Sequence, residues 1–112
     1  MRNVLTLFPS FALCLAGGAA SAAEPVADPE GHQRVVAPFF QKHCVACHGP
    51  DKQKGDFRVD LGLPADFLDA TAREKWGHVV DVLNSHDMPP EDEPQPEPEA
   101  TAAVVDWITA QL

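Results

Sequence analysis

The chain has little positive charge. Its 112 residues contain 8 Lys and Arg against 17 Asp and Glu, which gives a formal net charge of −9 at pH 7. A nucleic-acid-binding domain needs a basic face, so this composition excludes that class of function. Cleavage of an N-terminal signal would remove Arg2 and no acidic residue, and would make the excess of negative charge larger.

Long apolar and alternating segments are also missing. The main apolar run, residues 4–15, is shorter than the roughly 20 residues that a membrane-spanning helix needs. No alternating apolar run is long enough to indicate a β-strand. We therefore expect an all-α protein with no membrane span after signal cleavage. The alternative for residues 4–15 is an N-terminal membrane anchor.

The N-terminus has the pattern of a secretory signal. Arg2 supplies positive charge, residues 4–15 are mostly apolar, and residues 20–23 offer the small side chains found at cleavage sites. We expect a periplasmic or secreted product. The chain then divides into a signal peptide (1–23), a linker (24–30) and one small domain (31–112).

Cysteine is scarce as well. Only three are present, and Cys14 lies inside the predicted signal. A domain as short as 31–112 has a marginal core and usually depends on a disulfide, a metal or a cofactor. The thiols that remain for such a purpose are Cys44 and Cys47.

These two cysteines belong to the motif Cys44-Val45-Ala46-Cys47-His48. Cys-x-x-Cys-His is the attachment pattern of c-type haem, in which each thiol forms a thioether with the porphyrin and the adjacent His binds the iron. The motif predicts one covalently attached haem c, held through Cys44 and Cys47, with His48 as an iron ligand.

A Cys-x-x-Cys pair has two other common functions. A thiol–disulfide site opens a helix after a strand, in a βαβ context that this sequence does not offer. A structural zinc site needs two further ligands at recognisable spacing, and His78 with His86 is a poor substitute. Both are weaker interpretations than haem attachment.

Met88 is the candidate for the second iron ligand. The sequence contains two methionines, and the other is the initiator. Met88 follows a predicted helix and precedes Pro89-Pro90, whose fixed φ angles would stiffen the loop around a weak thioether ligand. Two alternatives stay open: Met88 as core filler, and His86 as the ligand, which would give bis-His coordination.

Helical signals surround the motif. Asp28-Pro29-Glu30 is typical of a helix N-terminus, and the apolar residues that follow predict a helix leading to Cys44. Pro38 should either kink this helix or move its start to about Val36. Thr71 and Glu74 form a capping box that predicts a helix over 72–85.

Two more helices are expected in the second half of the domain. A short one is predicted at 65–69. The last, over 98–111, begins at Pro98 and carries Val104, Trp107 and Ile108 on one face. Directly before the last helix, residues 89–98 are acidic and rich in proline, which predicts an extended, solvated connector.

The sequence resembles class I monohaem cytochrome c domains, and more narrowly the planctomycete-type cytochrome c module, over roughly residues 32–112. The resemblance rests on these segments: Phe39-Phe40, Cys44 to Pro50, Lys52 to Asp60, Trp76, Met88-Pro89-Pro90 and Trp107-Ile108. It implies an all-α, class I cytochrome c-like fold of three to four helices around one haem. It also implies that Phe39 or Phe40 packs against Trp107, and by analogy that Arg58 and Trp76 bond a haem propionate.

The function that these features predict is electron transfer through a His/Met-ligated haem, without enzymatic activity. The alternatives are a bis-His or open-site haem protein, acting as an electron-accepting module of a larger dehydrogenase or as a gas- or peroxide-reactive protein. The expected partner is a redox protein, with a basic docking surface if the acidic connector steers it.

Overall fold

Three helices build the domain. The computed structural model describes residues 17–18, 28–63 and 65–112, so nearly all of the predicted signal and the start of the linker lie outside the described residues. The all-α prediction is confirmed, because no strand occurs in the described residues. None of the helices in these ranges has both the length and the apolarity to cross a membrane.

Helix α1 is a continuous helical run in three parts: Pro29–Gly31, a π-helical segment His32–Val36, and Ala37–His43. Its predicted start is confirmed, since the Asp28 carboxylate accepts a hydrogen bond of 2.9 Å from the Gly31 N–H. The α-helical part that contains Pro38 begins at Ala37, close to the predicted start at about Val36, and the π-helical segment directly precedes it. The N–H of Ala37 bonds to the carbonyl of His32, and this wider turn takes up the irregularity just before the proline.

Helix α2 is Ala70–Asn84, two residues earlier at its start than predicted. The predicted capping box at Thr71 is wrong. The N-cap is Asp69, whose extended backbone and side chain allow its carboxylate to accept a 2.8 Å hydrogen bond from the Ala72 N–H. An Asp is at least as good an N-cap as a Thr. The 3₁₀ turn Ala65–Leu68 ends directly before Asp69.

Helix α3 is Pro98–Gln111, as predicted, and it buries Val104, Trp107 and Ile108. The short helix predicted at 65–69 is the 3₁₀ turn before α2, and a second 3₁₀ turn is Lys54–Asp56. Besides those three residues, the buried apolar core consists of Val36, Phe39, Phe40, Val59, Phe67, Trp76, Val79 and Leu83. All three helices and the loop after the Cys-x-x-Cys-His motif contribute to it.

The crossing of α1 and α3 differs from the expected one. Trp107 has His32 and Phe67 as ring partners, at centroid distances of 5.8 and 5.6 Å, and its indole N–H donates to Asp28. Phe39 and Phe40 belong to the same buried core as Trp107 but are not among these ring partners. The contact falls earlier along α1 because Gly31, which has no side chain, lets the indole approach the helix there.

We predict that Gly31→Ala lowers the free energy of unfolding by about 1–3 kcal/mol, the usual effect of overpacking. The added Cβ would lie 2.5 Å from the indole nitrogen of Trp107 and closer still to the Asp28 carboxylate. Guanidinium titration of the purified protein measures the effect.

Gly77→Ala is the matched control. Gly77 is also helical, but a Cβ there meets nothing within 4 Å, so the higher helix propensity of Ala should raise stability by about 0.5–1 kcal/mol. Equal effects of the two substitutions would contradict the close approach at Gly31.

Candidate haem site

The Cys-x-x-Cys-His motif forms a tight turn at the end of α1. The Cys44 N–H bonds to the Phe40 carbonyl, and the His48 N–H bonds back to the Cys44 carbonyl at 2.9 Å. Cys44 and Cys47 are half-buried free thiols. The turn therefore keeps both sulfurs and the imidazole within one short segment, as the attachment of one haem requires.

The loop after the motif folds back and fixes this turn. The Lys54 N–H donates to the Cys47 carbonyl, and the Val59 N–H donates to the His48 carbonyl, each at 2.9 Å. Val59 is buried in the core. The backbone of the motif is thus held by α1 on one side and by this returning segment on the other.

Two adjoining cavities lie next to the motif. The inner cavity has a volume of about 250 Å³ and a mainly apolar lining that includes Phe40, Phe57 and Val79. The outer cavity, of about 460 Å³, is also lined by Cys47 and extends to the acidic, proline-rich connector. The residues that line both are Cys44, His48, Lys54, Gly55, Leu83 and Met88. Ligand clefts commonly have volumes of about 300–1,000 Å³.

His48 is oriented by an aromatic neighbour. The Phe57 ring stands edge-on to the imidazole, with centroids 5.6 Å apart, and it packs in turn against Trp76. The Nδ1 atom of His48 is buried, and it has no hydrogen-bond partner among the residues that the structure describes. A neutral imidazole has two distinct nitrogens, one a donor and the other an acceptor.

The Cys44 thiol is not suited to thiol–disulfide exchange. Burial raises its pKa to about 12, so the thiol is protonated at neutral pH. Exchange requires the thiolate. As for zinc, the described ranges contain no group of three or more His, Cys, Asp or Glu side chains arranged to hold a metal ion.

The end of α2 determines where Met88 lies. His86 adopts a left-handed conformation with φ of 61°, and the Asp87 N–H bonds to the Val82 carbonyl at 3.0 Å, which together form a Schellman helix cap. The Met88 N–H bonds to the same Val82 carbonyl at 3.2 Å. This cap reverses the chain, and the Met88 side chain, which is 40% exposed, lines both cavities beside the motif.

His86 lies elsewhere. Its side chain is exposed and lines a third cavity, a groove between the end of α2, the connector and α3. It lines neither cavity that contains His48. The local geometry gives His86 a backbone role in the helix cap.

The two residues expected at the propionates are outside both cavities. Arg58 is paired with Asp60, its Nε atom 2.9 Å from a carboxylate oxygen. Trp76 is fully buried and stacks on Phe40 at 5.8 Å. Lys54 is the basic side chain that lines both cavities.

The Cys-x-x-Cys-His turn and a methionine line common cavities in a helical domain, an arrangement found in c-type cytochromes. Residues 44–92, somewhat less than half of the chain, match the family described as planctomycete cytochrome C. This match supports a cytochrome c-like domain. No curated protein and no solved structure matches it in the same comparisons.

The structure adds residues that the sequence analysis did not single out. Phe57 contacts the imidazole of His48, and Lys54 lies at both cavities. Gln95 donates hydrogen bonds to carbonyls of the loop after Met88. A signal for Gln95 was present in the sequence, because it is the only side chain with an N–H donor in residues 89–99.

Proposed function

We propose that the domain carries single electrons through one haem c attached to Cys44 and Cys47 and ligated by His48 and Met88. One observation supports this proposal. Both thiols, the imidazole and the thioether line two adjoining cavities, and the inner cavity has a largely apolar lining. Haem, when bound, supplies a one-electron redox centre. Ligation by two side chains leaves no coordination position for a substrate, so the domain acts as a carrier.

The residues present fit such a group. Both cysteines are free thiols, and the buried Nδ1 of His48 leaves Nε2 for the iron. The inner lining of Phe40, Phe57 and Val79 would exclude water from the porphyrin. Exclusion of water and burial are two of the means by which a protein adjusts a haem potential.

Met88 is a better candidate than His86 for the second ligand, because it lines the same cavities as His48. For the propionates we propose Lys54 as the nearer cation. A contact from Arg58 would require its guanidinium to leave Asp60.

We further propose export to the periplasm or beyond the cell, since the thioether attachment and the predicted signal agree. The partner is a redox protein with a basic docking surface. Asp92 and Glu93 are exposed at the outer cavity, and Glu91 is exposed beside them. Their charge would steer a cationic partner toward the haem edge.

The attachment is tested by mass and spectrum. We expect the protein isolated from the periplasm to have the mass of the cleaved chain plus one haem. Cys44→Ser and Cys47→Ser should each leave a single thioether and shift the absorption band of the pyridine haemochrome. Cys14→Ser is the control and should change neither quantity, because Cys14 lies in the predicted signal. A wild-type chain without bound haem would refute the proposal.

The axial ligand is tested by Met88→Ala. Loss of the thioether should lower the reduction potential by a measurable part of the roughly 0.8 V over which axial ligands adjust haem, and should open the iron to imidazole. Potentiometric titration with optical detection gives the potential.

His86→Gly is the control for Met88→Ala. It relieves a left-handed conformation that costs a non-glycine residue about 1–2 kcal/mol, so it should keep the potential of the wild type without loss of stability. If His86→Gly changes the potential and Met88→Ala does not, His86 is the ligand.

The charge of the connector is tested by kinetics. Neutralising Glu91, Asp92 and Glu93 as Gln, Asn and Gln should slow electron transfer to a cationic metal complex and flatten its decrease with ionic strength. The same change in net charge at Glu30, Glu74 and Asp106, which are exposed and line neither cavity, should have less effect. Equal effects of the two triple variants would show that net charge alone acts.

A further inference from the structure

The loop after Met88 has few backbone donors. Prolines occupy five of the ten positions 89–98, and the other side chains there are acidic except for Gln95. A proline has no N–H group, and an ionised carboxylate only accepts hydrogen bonds. Few backbone N–H groups are therefore available to bond to the carbonyls of this loop, and a side-chain donor can add to them.

Gln95 supplies such a donor. Its side-chain amide nitrogen lies 2.8 Å from the Pro90 carbonyl, 3.0 Å from the Glu93 carbonyl and 3.3 Å from the Pro89 carbonyl. All three partners are acceptors, which fixes the orientation of the amide group. The Pro90 carbonyl also accepts a backbone hydrogen bond from Glu93 at 2.9 Å. The two N–H groups of one side chain thus lie within hydrogen-bond distance of three carbonyls of the loop.

Met88 lies between the hydrogen bonds of Gln95 and the end of α2. On its N-terminal side, its own N–H and that of Asp87 bond to the Val82 carbonyl. On its C-terminal side, Pro89 is buried and accepts from Gln95, and Gln95 and Met88 line the same groove. The two anchors flank the one methionine that lines the cavities of His48.

We propose that Gln95 is the positioning residue for the methionine ligand: by joining the Pro89, Pro90 and Glu93 carbonyls, it keeps Met88 at the iron. This inference rests on the proposed His/Met ligation. A thioether is a weak ligand, and an entering ligand competes with it. Loosening the loop raises the fraction of protein with an open iron, and the apparent affinity for an entering ligand rises in proportion.

The test is an optical titration of the oxidised holoprotein with imidazole. Gln95→Glu is isosteric, removes both N–H donors and places a carboxylate against three carbonyls. We expect it to tighten apparent imidazole binding about tenfold, the equivalent of one or two net hydrogen bonds. Gln33→Glu makes the same charge change at an exposed position of α1 and should leave the affinity unchanged. Gln95→Leu, which adds no charge, replaces Gln95→Glu if the latter does not accumulate.

The same titration in the Met88→Ala protein separates positioning of Met88 from general destabilisation of the domain. In the Met88→Ala protein the iron is already open, so adding Gln95→Glu should not tighten imidazole binding further. The inference is overturned if Gln95→Glu binds imidazole like Gln33→Glu, or if its effect is the same with and without Met88. If Met88→Ala alone binds imidazole no more tightly than the wild type, the His/Met ligation itself is refuted.

Discussion

The indole of Trp76 is the point on which the packing of the domain depends. It projects from the middle of α2 and is fully buried. Phe40 from α1, Phe57 from the loop after the motif and Phe67 from the 3₁₀ turn each contact it, at centroid distances of 5.8, 5.8 and 6.4 Å. Aromatic pairs of this kind add to the stabilisation from burial. In a domain this small, one residue therefore joins α1, the loop after the motif and the 3₁₀ turn to α2.

This cluster also couples the core to the haem site. The Phe57 ring has both Trp76 and the imidazole of His48 as ring partners. The orientation of the ligand therefore depends on how the returning loop packs against α2. The side chain of Lys75 lies over both rings, at 5.2 Å from Phe57 and 4.5 Å from Trp76, which adds a cation–π contribution at the edge of the cluster.

Local sequence signals predicted the features that depend on short spacing. The bounds of the last helix, the N-cap at Asp28 and the cysteine pair with His48 all follow from residues within one or two turns of each other. The contacts of Trp107 did not follow. Its position depends on which of several residues of α1 permits the closest approach, and only the assembled structure shows that Gly31 does.

In the candidate site, too, local sequence signals predicted some residues, whereas residues whose role depends on their neighbours in the fold were not predicted. Met88 was conspicuous because of its uniqueness and its prolines, and the structure brings it to the cavities of His48. For Arg58 the family resemblance implies a propionate contact, whereas the structure pairs its guanidinium with the carboxylate of Asp60, two residues away. A cation that is already paired with a carboxylate is a poor candidate for binding a more distant anion, since separating the pair costs free energy.

The connector after Met88 shows how proline and acidic residues constrain one another. Prolines reduce the conformational freedom of the unfolded loop and so lower the entropic cost of ordering it. They also remove the N–H groups that would otherwise satisfy its carbonyls. Acidic side chains cannot replace those donors. In residues 89–99 the side chain that donates hydrogen bonds into the loop is Gln95, and its donors add to the few that the backbone supplies.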